Sequence, residues 1–217
     1  MGSRTRFDLL SAYAREQVAF EYVCDNNLRL IWQALYADCL PKADCPTLFI
    51  LVGLPGCGKS TVACELALRL PAAVVQSDRV RAMLFSRRTY SAEENERVFE
   101  TCYALIAELL ARRVNVVYDA TNIHRLFRFC AVLVAQRMGV RHVFVHLHAP
   151  PEVVHARIAQ RQEKRDANQF SEGTYEVYES MAAAFEPISE PHISVDTCSD
   201  IASIVDDVLR QTAELLD

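Results

Sequence analysis

The stretch Gly53-Leu54-Pro55-Gly56-Cys57-Gly58-Lys59-Ser60-Thr61 constrains this chain more than any other. It satisfies G-x-x-x-x-G-K-[ST], the spacing of a phosphate-binding loop. Its flanks supply the context that such a loop needs. Thr47-Leu48-Phe49-Ile50-Leu51-Val52 precedes it and reads as a buried strand. Val62 to Leu70 follows it with the apolar spacing of a helix. A helix start leaves backbone N–H groups unpaired and carries partial positive charge. Gly53, Gly56 and Gly58 let the backbone curl so that those groups face a phosphate chain. Lys59 can reach the β- and γ-phosphates, and the Ser60 hydroxyl is placed to ligate Mg²⁺. Pro55, Cys57 and Thr61 complete the loop around the donor. The chain is therefore expected to bind a nucleoside triphosphate, with ATP and Mg²⁺ as its cofactors.

Composition narrows the setting. At 217 residues the chain makes one sizeable domain, or one domain with an appendage, and 51% hydrophobic residues are ample for a core. A net charge of −5 gives no global basic field, so a nucleic-acid substrate would need a local patch. No apolar stretch approaches the roughly 18 residues that span a membrane. Asp8, Arg15, Glu16 and Glu21 break up the N-terminal apolar residues, so that segment does not read as a signal peptide. The eight cysteines include no C-x-x-C pair and, with the phosphate loop, point to a reducing cytoplasm. Cys57 lies beside a lysine at a helix start. Two readings stay open for it, a tolerated small residue and a redox-sensitive thiol. The six histidines show no metal spacing beyond His146-x-His148 and read as structural.

Along the chain, residues 1–40 read as two helices broken at Asp25-Asn26-Asn27, and Pro41 to Pro46 reads as a linker. Residues 1–46 thus form a helical extension, expected to pack on a sheet edge or against a second copy of the chain. Residues 47–217 form the main domain. Further strands are expected at Ala73–Asp78, Val114–Asn122, Arg141–His148 and His192–Asp196. Ser91 and Glu94 have the spacing of a capping box for the helix that follows, and Ser199 is the expected cap of the last helix. Strands alternating with helices of 10–15 residues specify an α/β fold, a parallel sheet with helices on both faces.

Polar clusters follow the C-terminal ends of the first three strands, and in a parallel sheet those ends share one rim. Asp78 is placed to orient or deprotonate an acceptor hydroxyl. Arg81, one turn on, could clamp an acceptor phosphate. Asp119 suits contact with Mg²⁺ through water or, alternatively, with the acceptor. Arg157, Arg161 and Arg165 recur every four residues, beside a polar stretch, and suggest a lid near 157–173 that closes over the triphosphate.

The order GLPGCGKST, QSDRVR, YDATN with Arg128, then an arginine-rich lid, resembles the P-loop kinases of the polynucleotide 5′-kinase and zeta-toxin group. Ser171-Glu172 and Phe185-Glu186-Pro187 look more like the broader group of small bacterial kinases with unassigned acceptors. The resemblance covers about 47–198 and implies a P-loop NTPase three-layer sandwich with five parallel strands in the order 2-3-1-4-5. It implies that Asp78 is the general base and that Arg81 touches the acceptor. It also implies that Thr121, Asn122 and Arg128 help place the acceptor, and that the lid arginines hold donor phosphates. The expected activity is ATP-dependent transfer of the γ-phosphate to a hydroxyl. A nucleic-acid 5′-hydroxyl leads, and a nucleoside, sugar or antibiotic is the alternative. A nucleotide switch or ATPase without an acceptor is the competing class.

Overall fold

The computed structural model describes residues 42–164 and 174–216, together with Ile31, Leu35 and Leu40. In chain order the elements are β1 (Thr47–Val52), α1 (Lys59–Arg69), β2 (Ala72–Gln76), α2 (Ser77–Leu84), α3 (Ala92–Ala111), β3 (Asn115–Asp119) and α4 (Arg125–Arg137). They continue with β4 (Arg141–His148), α5 (Pro151–Lys164), α6 (Tyr175–Ala183), β5 (His192–Asp196) and α7 (Ile201–Leu216). The strands form one sheet in the order β2-β3-β1-β4-β5, and every neighbouring pair is parallel. This is the expected α/β P-loop arrangement, strand order included.

The central strand shows why. All six residues of β1 are buried, as a parallel strand covered on both faces requires. Alternation then splits them between two cores. Leu48, Ile50 and Val52 join residues of α3 and α4 on one side of the sheet. Phe49 and Leu51 meet Val62, Ala63 and Leu66 of α1 and Ile204, Val205 and Val208 of α7 on the other. Ile31 is buried at 3% exposure against the first core, and Leu35 and Leu40 pack on it. The rest of the expected hairpin over 1–40, and any contact it makes with another copy, lies outside the described residues. Among the described residues no helix is long and apolar enough to cross a membrane.

Several boundaries differ from the sequence reading, and β3, expected over Val114–Asn122, spans Asn115–Asp119. Strand β2 stops at Gln76 and α2 begins at Ser77 with no intervening loop, so Asp78 rides on the first helical turn. The last helix is capped by Asp200, whose Oδ2 accepts from the Ser203 amide at 3.2 Å, and not by Ser199. Both serine and aspartate cap well, and spacing alone did not choose between neighbours.

Arg128 is fully buried and braces the β3–α4 connection. Its Nη1 donates to the carbonyls of Asn122 at 3.1 Å and Ile123 at 2.9 Å. Its Nη2 donates to the carbonyl of Pro187 at 2.9 Å, which ties the segment after α6 to the same loop. Replacing Arg128 with Met leaves these carbonyls short of donors. The expected loss is on the order of 2 kcal/mol, read as a lower urea midpoint.

Candidate functional site

The phosphate loop spans the gap between β1 and α1. The Gly53 amide donates to the Thr121 carbonyl at 3.0 Å, which stitches this loop to the one after β3. Gly56 has φ 81, and a Cβ there would sit 2.8 Å from Val154 Cγ1. Only glycine fits that turn. Gly58 caps α1 and, lacking a side chain, accepts from none of the helix's first amides through one. That is an anion cradle. The Lys59 side chain folds back across the loop, with Nζ donating to the Leu54 carbonyl at 2.9 Å. Cys57 is buried at 2% exposure and packs into the second core.

A corner rich in oxygen lies beside the cradle. Gln76 and Asp119 are register partners across β2 and β3. The Gln76 amide nitrogen donates both to Ser60 Oγ at 3.1 Å and to Asp119 Oδ2 at 3.0 Å. Burial pushes the Asp119 carboxyl above its ordinary value, and nearby Asp78 adds to that. Lys59, the Ser60 hydroxyl and Gln76 pull it back. A carboxylate and a hydroxyl held together in this way are hard oxygen donors that suit Mg²⁺. Sequence reasoning missed Gln76. Its place at a strand end, one residue before Ser77, was the available signal.

These groups open into one cleft of about 750 Å³, bordered by the phosphate loop, Asp78, Asp119, Thr121, Arg157 and Arg161. Asp78 is half-buried there, on the first turn of α2. Arg157 donates through Nη1 to Thr197 Oγ1 at 2.9 Å and through Nη2 to the Thr197 carbonyl at 2.7 Å. The Thr197 hydroxyl in turn donates to the Cys57 carbonyl at 2.8 Å. Thr197 thereby links α5 to the phosphate loop. The sequence reading passed over it, although it follows β5 at the functional rim. Arg161 lies one turn beyond Arg157 and borders the same cleft. Arg165 and the lid stretch to 173 lie outside the described residues, as do Ser171 and Glu172.

Three expected acceptor contacts have other tasks. Arg81 is 4% exposed, and its terminal nitrogens donate to Glu94 Oε1 at 2.6 Å and Asn95 Oδ1 at 2.7 Å. It secures α2 to α3 and does not border the cleft. Asn122 is fully buried at φ 49, and its amide donates to the Leu51 carbonyl at 2.7 Å. It buttresses the end of β1. Arg128 is spent on carbonyls, as described above. Ser91 does cap α3, accepting from the Glu94 amide at 3.2 Å. The Glu94 carboxylate does not complete the box. It accepts from the Thr89 amide and hydroxyl, each at 2.7 Å, as well as from Arg81.

A family model described as an AAA domain matches residues 48–188, well over half of the chain. Among solved structures, the APS kinase of Mycobacterium tuberculosis, bound to AMPPNP and APS, is similar. Its TM-score is 0.63 at 17% identity, over 80% of this chain and 99% of that one. A gluconokinase from Sinorhizobium meliloti 1021 gives a TM-score of 0.59 at 21% identity, over 78% of this chain and 93% of that one. At such identities the likeness carries the fold. A chain of the Pnkp1/Rnl/Hen1 RNA repair complex gives 0.55 at 28% identity, over 65% of this chain. The match spans 44% of that chain, less than half its length. The three share the P-loop kinase fold. Of the three, the last alone bears on the polynucleotide-kinase resemblance.

The two buried carboxylates predict opposite pH behaviour. Burial alone would raise Glu94, but the Thr89, Arg81 and Tyr90 hydrogen bonds outweigh it and hold the carboxyl at about 2, below its ordinary 4.5. The folded state then binds fewer protons than the unfolded chain between these values. Stability from this group is full above pH 4.5 and is lost as pH falls towards 2. Glu94→Gln should lower the melting temperature at pH 7 and flatten its acid dependence in that window. For Asp119 the raised value means that ionisation weakens folding as pH rises past its ordinary 3.8. Asp119→Asn should raise the melting temperature at pH 7 without nucleotide. The same variant should lose the extra stabilisation that Mg²⁺ adds to bound ATP.

Proposed function

The chain belongs to the AAA-domain family, and from that premise we propose that it is a phosphotransferase dependent on ATP and Mg²⁺. It moves the γ-phosphate to a hydroxyl, either a nucleic-acid 5′-hydroxyl or the alcohol of a small molecule. The observation that carries this reading is the meeting of three groups in one cleft. These are the phosphate loop, the Ser60–Asp119 corner and Asp78.

Each residue then has a stated task. Lys59 leaves the Leu54 carbonyl and pairs with the donor phosphates. Ser60 and Asp119 hold the metal, with Gln76 keeping their oxygens together. Bound there, Mg²⁺ supplies charge to offset the β- and γ-phosphate oxygens. Asp78 accepts the proton of the attacking hydroxyl. Arg157, steadied on Thr197, and Arg161 balance charge on the phosphoryl group in flight. Arg165, outside the described residues, belongs to the same lid in this proposal.

Support from similar proteins is broad about chemistry and silent about the acceptor. The APS kinase is bound to AMPPNP and APS, another neighbour is a gluconokinase, and a third belongs to an RNA repair complex. The competing reading is a nucleotide switch or ATPase without an acceptor. Asp78 favours transfer, since hydrolysis needs only a positioned water. The free state of Cys45, Cys57, Cys64, Cys102, Cys130 and Cys198 supports a cytoplasmic setting as part of the same proposal.

Labelled ATP with a panel of 5′-hydroxyl oligonucleotides and small alcohols provides the test. Asp78→Asn should cut transfer by about 10²-fold or more while ATP still binds. ADP formation that ignores every acceptor and survives the substitution would leave only the hydrolase reading.

A further inference from the structure

Part of the cleft lining is aromatic. Tyr90 borders the cleft and is 42% exposed, with φ 55. A bulky residue keeps that left-handed conformation only where its surroundings impose it. Here they do. The Asn95 side-chain amide donates to the Tyr90 carbonyl at 3.2 Å, and Ser91 starts α3 immediately after it. The Arg81 guanidinium lies 4.5 Å from the ring centroid. Arg81 is itself held by Glu94 and Asn95. The ion pair that removed Arg81 from the list of acceptor contacts thus forms the base under an aromatic ring.

Another part of the lining is apolar. Val177 and Met181, one turn apart on α6, border the same cleft, and Val177 is 37% exposed. The segment after α6 is held to the β3–α4 loop, where the Glu186 amide donates to the Ile123 carbonyl at 3.1 Å. Charge is distributed unevenly. The cations among the described lining residues are Lys59, Arg157 and Arg161, which belong to the phosphate loop and α5. The rest of the described lining includes Asp78, the Tyr90 ring over the Glu94-paired Arg81, and the aliphatic side chains of Val177 and Met181. A flat unsaturated ring would find a surface there to stack on.

Resting on the phosphotransfer reading above, we propose that Tyr90, with Val177 and Met181, is the acceptor-recognition surface. It selects a hydroxyl compound that carries a flat unsaturated ring, a nucleoside, either free or at the end of a nucleic acid. Stacking on Tyr90 brings the nucleoside hydroxyl to Asp78.

The test is calorimetry on the full chain saturated with AMPPNP, titrated with thymidine, a 5′-hydroxyl tetranucleotide or gluconate. The two ring-bearing probes separate a free nucleoside from a nucleic-acid end. At least one of them should bind, and gluconate should not. Tyr90→Ala should weaken that binding roughly tenfold or more, and Tyr90→Phe should retain it. AMPPNP affinity should stay unchanged in both. If Tyr90→Ala fails to hold AMPPNP through misfolding, Met181→Ala should show the same selective loss. The proposal is overturned if neither ring-bearing probe binds, or if gluconate binds regardless of Tyr90→Ala. Labelled ATP in parallel separates the two readings. Binding that depends on Tyr90 but leads to no transfer would defeat the phosphotransfer reading and leave this one. Transfer to a ring-less alcohol that ignores Tyr90→Ala would do the reverse.

Discussion

Every strand of a wholly parallel sheet ends on the same rim, and this geometric constraint governs the molecule. Strand β1, buried on both faces, cannot carry polar chemistry along its length. Polar groups therefore gather where the strands stop. Gly53 follows β1, Gln76 closes β2, Asp119 closes β3 and Thr197 follows β5. Hydrogen bonds across the rim then join elements that are distant in sequence. Gln76 reaches both Ser60 and Asp119, and Thr197 reaches both Cys57 and Arg157. The cleft results from these junctions more than from any single loop.

The rim also holds charge at a cost to folding. Asp119 is 3% exposed, and burial disfavours its ionised form. The Arg81–Glu94 pair is the contrasting case. There a carboxylate buried to a similar degree has four described hydrogen-bond and charge contacts and is held firmly ionised. One acid is only partly compensated, beside a phosphate cradle. The other is fully compensated and fixes a wall. A half-satisfied buried carboxylate is a feature of functional corners, where the missing compensation comes with the ligand.

Much of this was legible in the chain. The phosphate loop announces itself through spacing, and alternation of apolar strands with helical periods specifies the parallel sheet. Which strand lies beside which came from the family resemblance. What spacing could not reveal was where side chains spend their donors. Arg81 looked like an anion clamp because guanidinium groups near a phosphate site usually are, and the family resemblance gave Arg128 a place at the acceptor. The partner of Arg81 lies thirteen residues on, across a turn, and one partner of Arg128 lies fifty-nine residues on, after α6. Asn122 looked like an acceptor contact, yet its amide reaches back seventy-one residues to β1. Such pairings appear only when the chain is folded. Gln76 and Thr197 were hidden differently, as ordinary residues made important by the ends of strands.

The sheet has a further property at its margins. Its edge strands, β2 and β5, are five residues each. Along β5 the side chains of Ser194 and Asp196 are exposed while Ile193 and Val195 turn inward. A short border interrupted by polar and charged side chains, as β5 is, makes a poor template for a foreign strand. The long apolar run of β1 is the segment most able to seed aggregation, and it lies at the centre of the sheet, flanked on both sides. The order of the strands that assembles the cleft therefore also keeps the β1 backbone away from the exposed edges of the sheet.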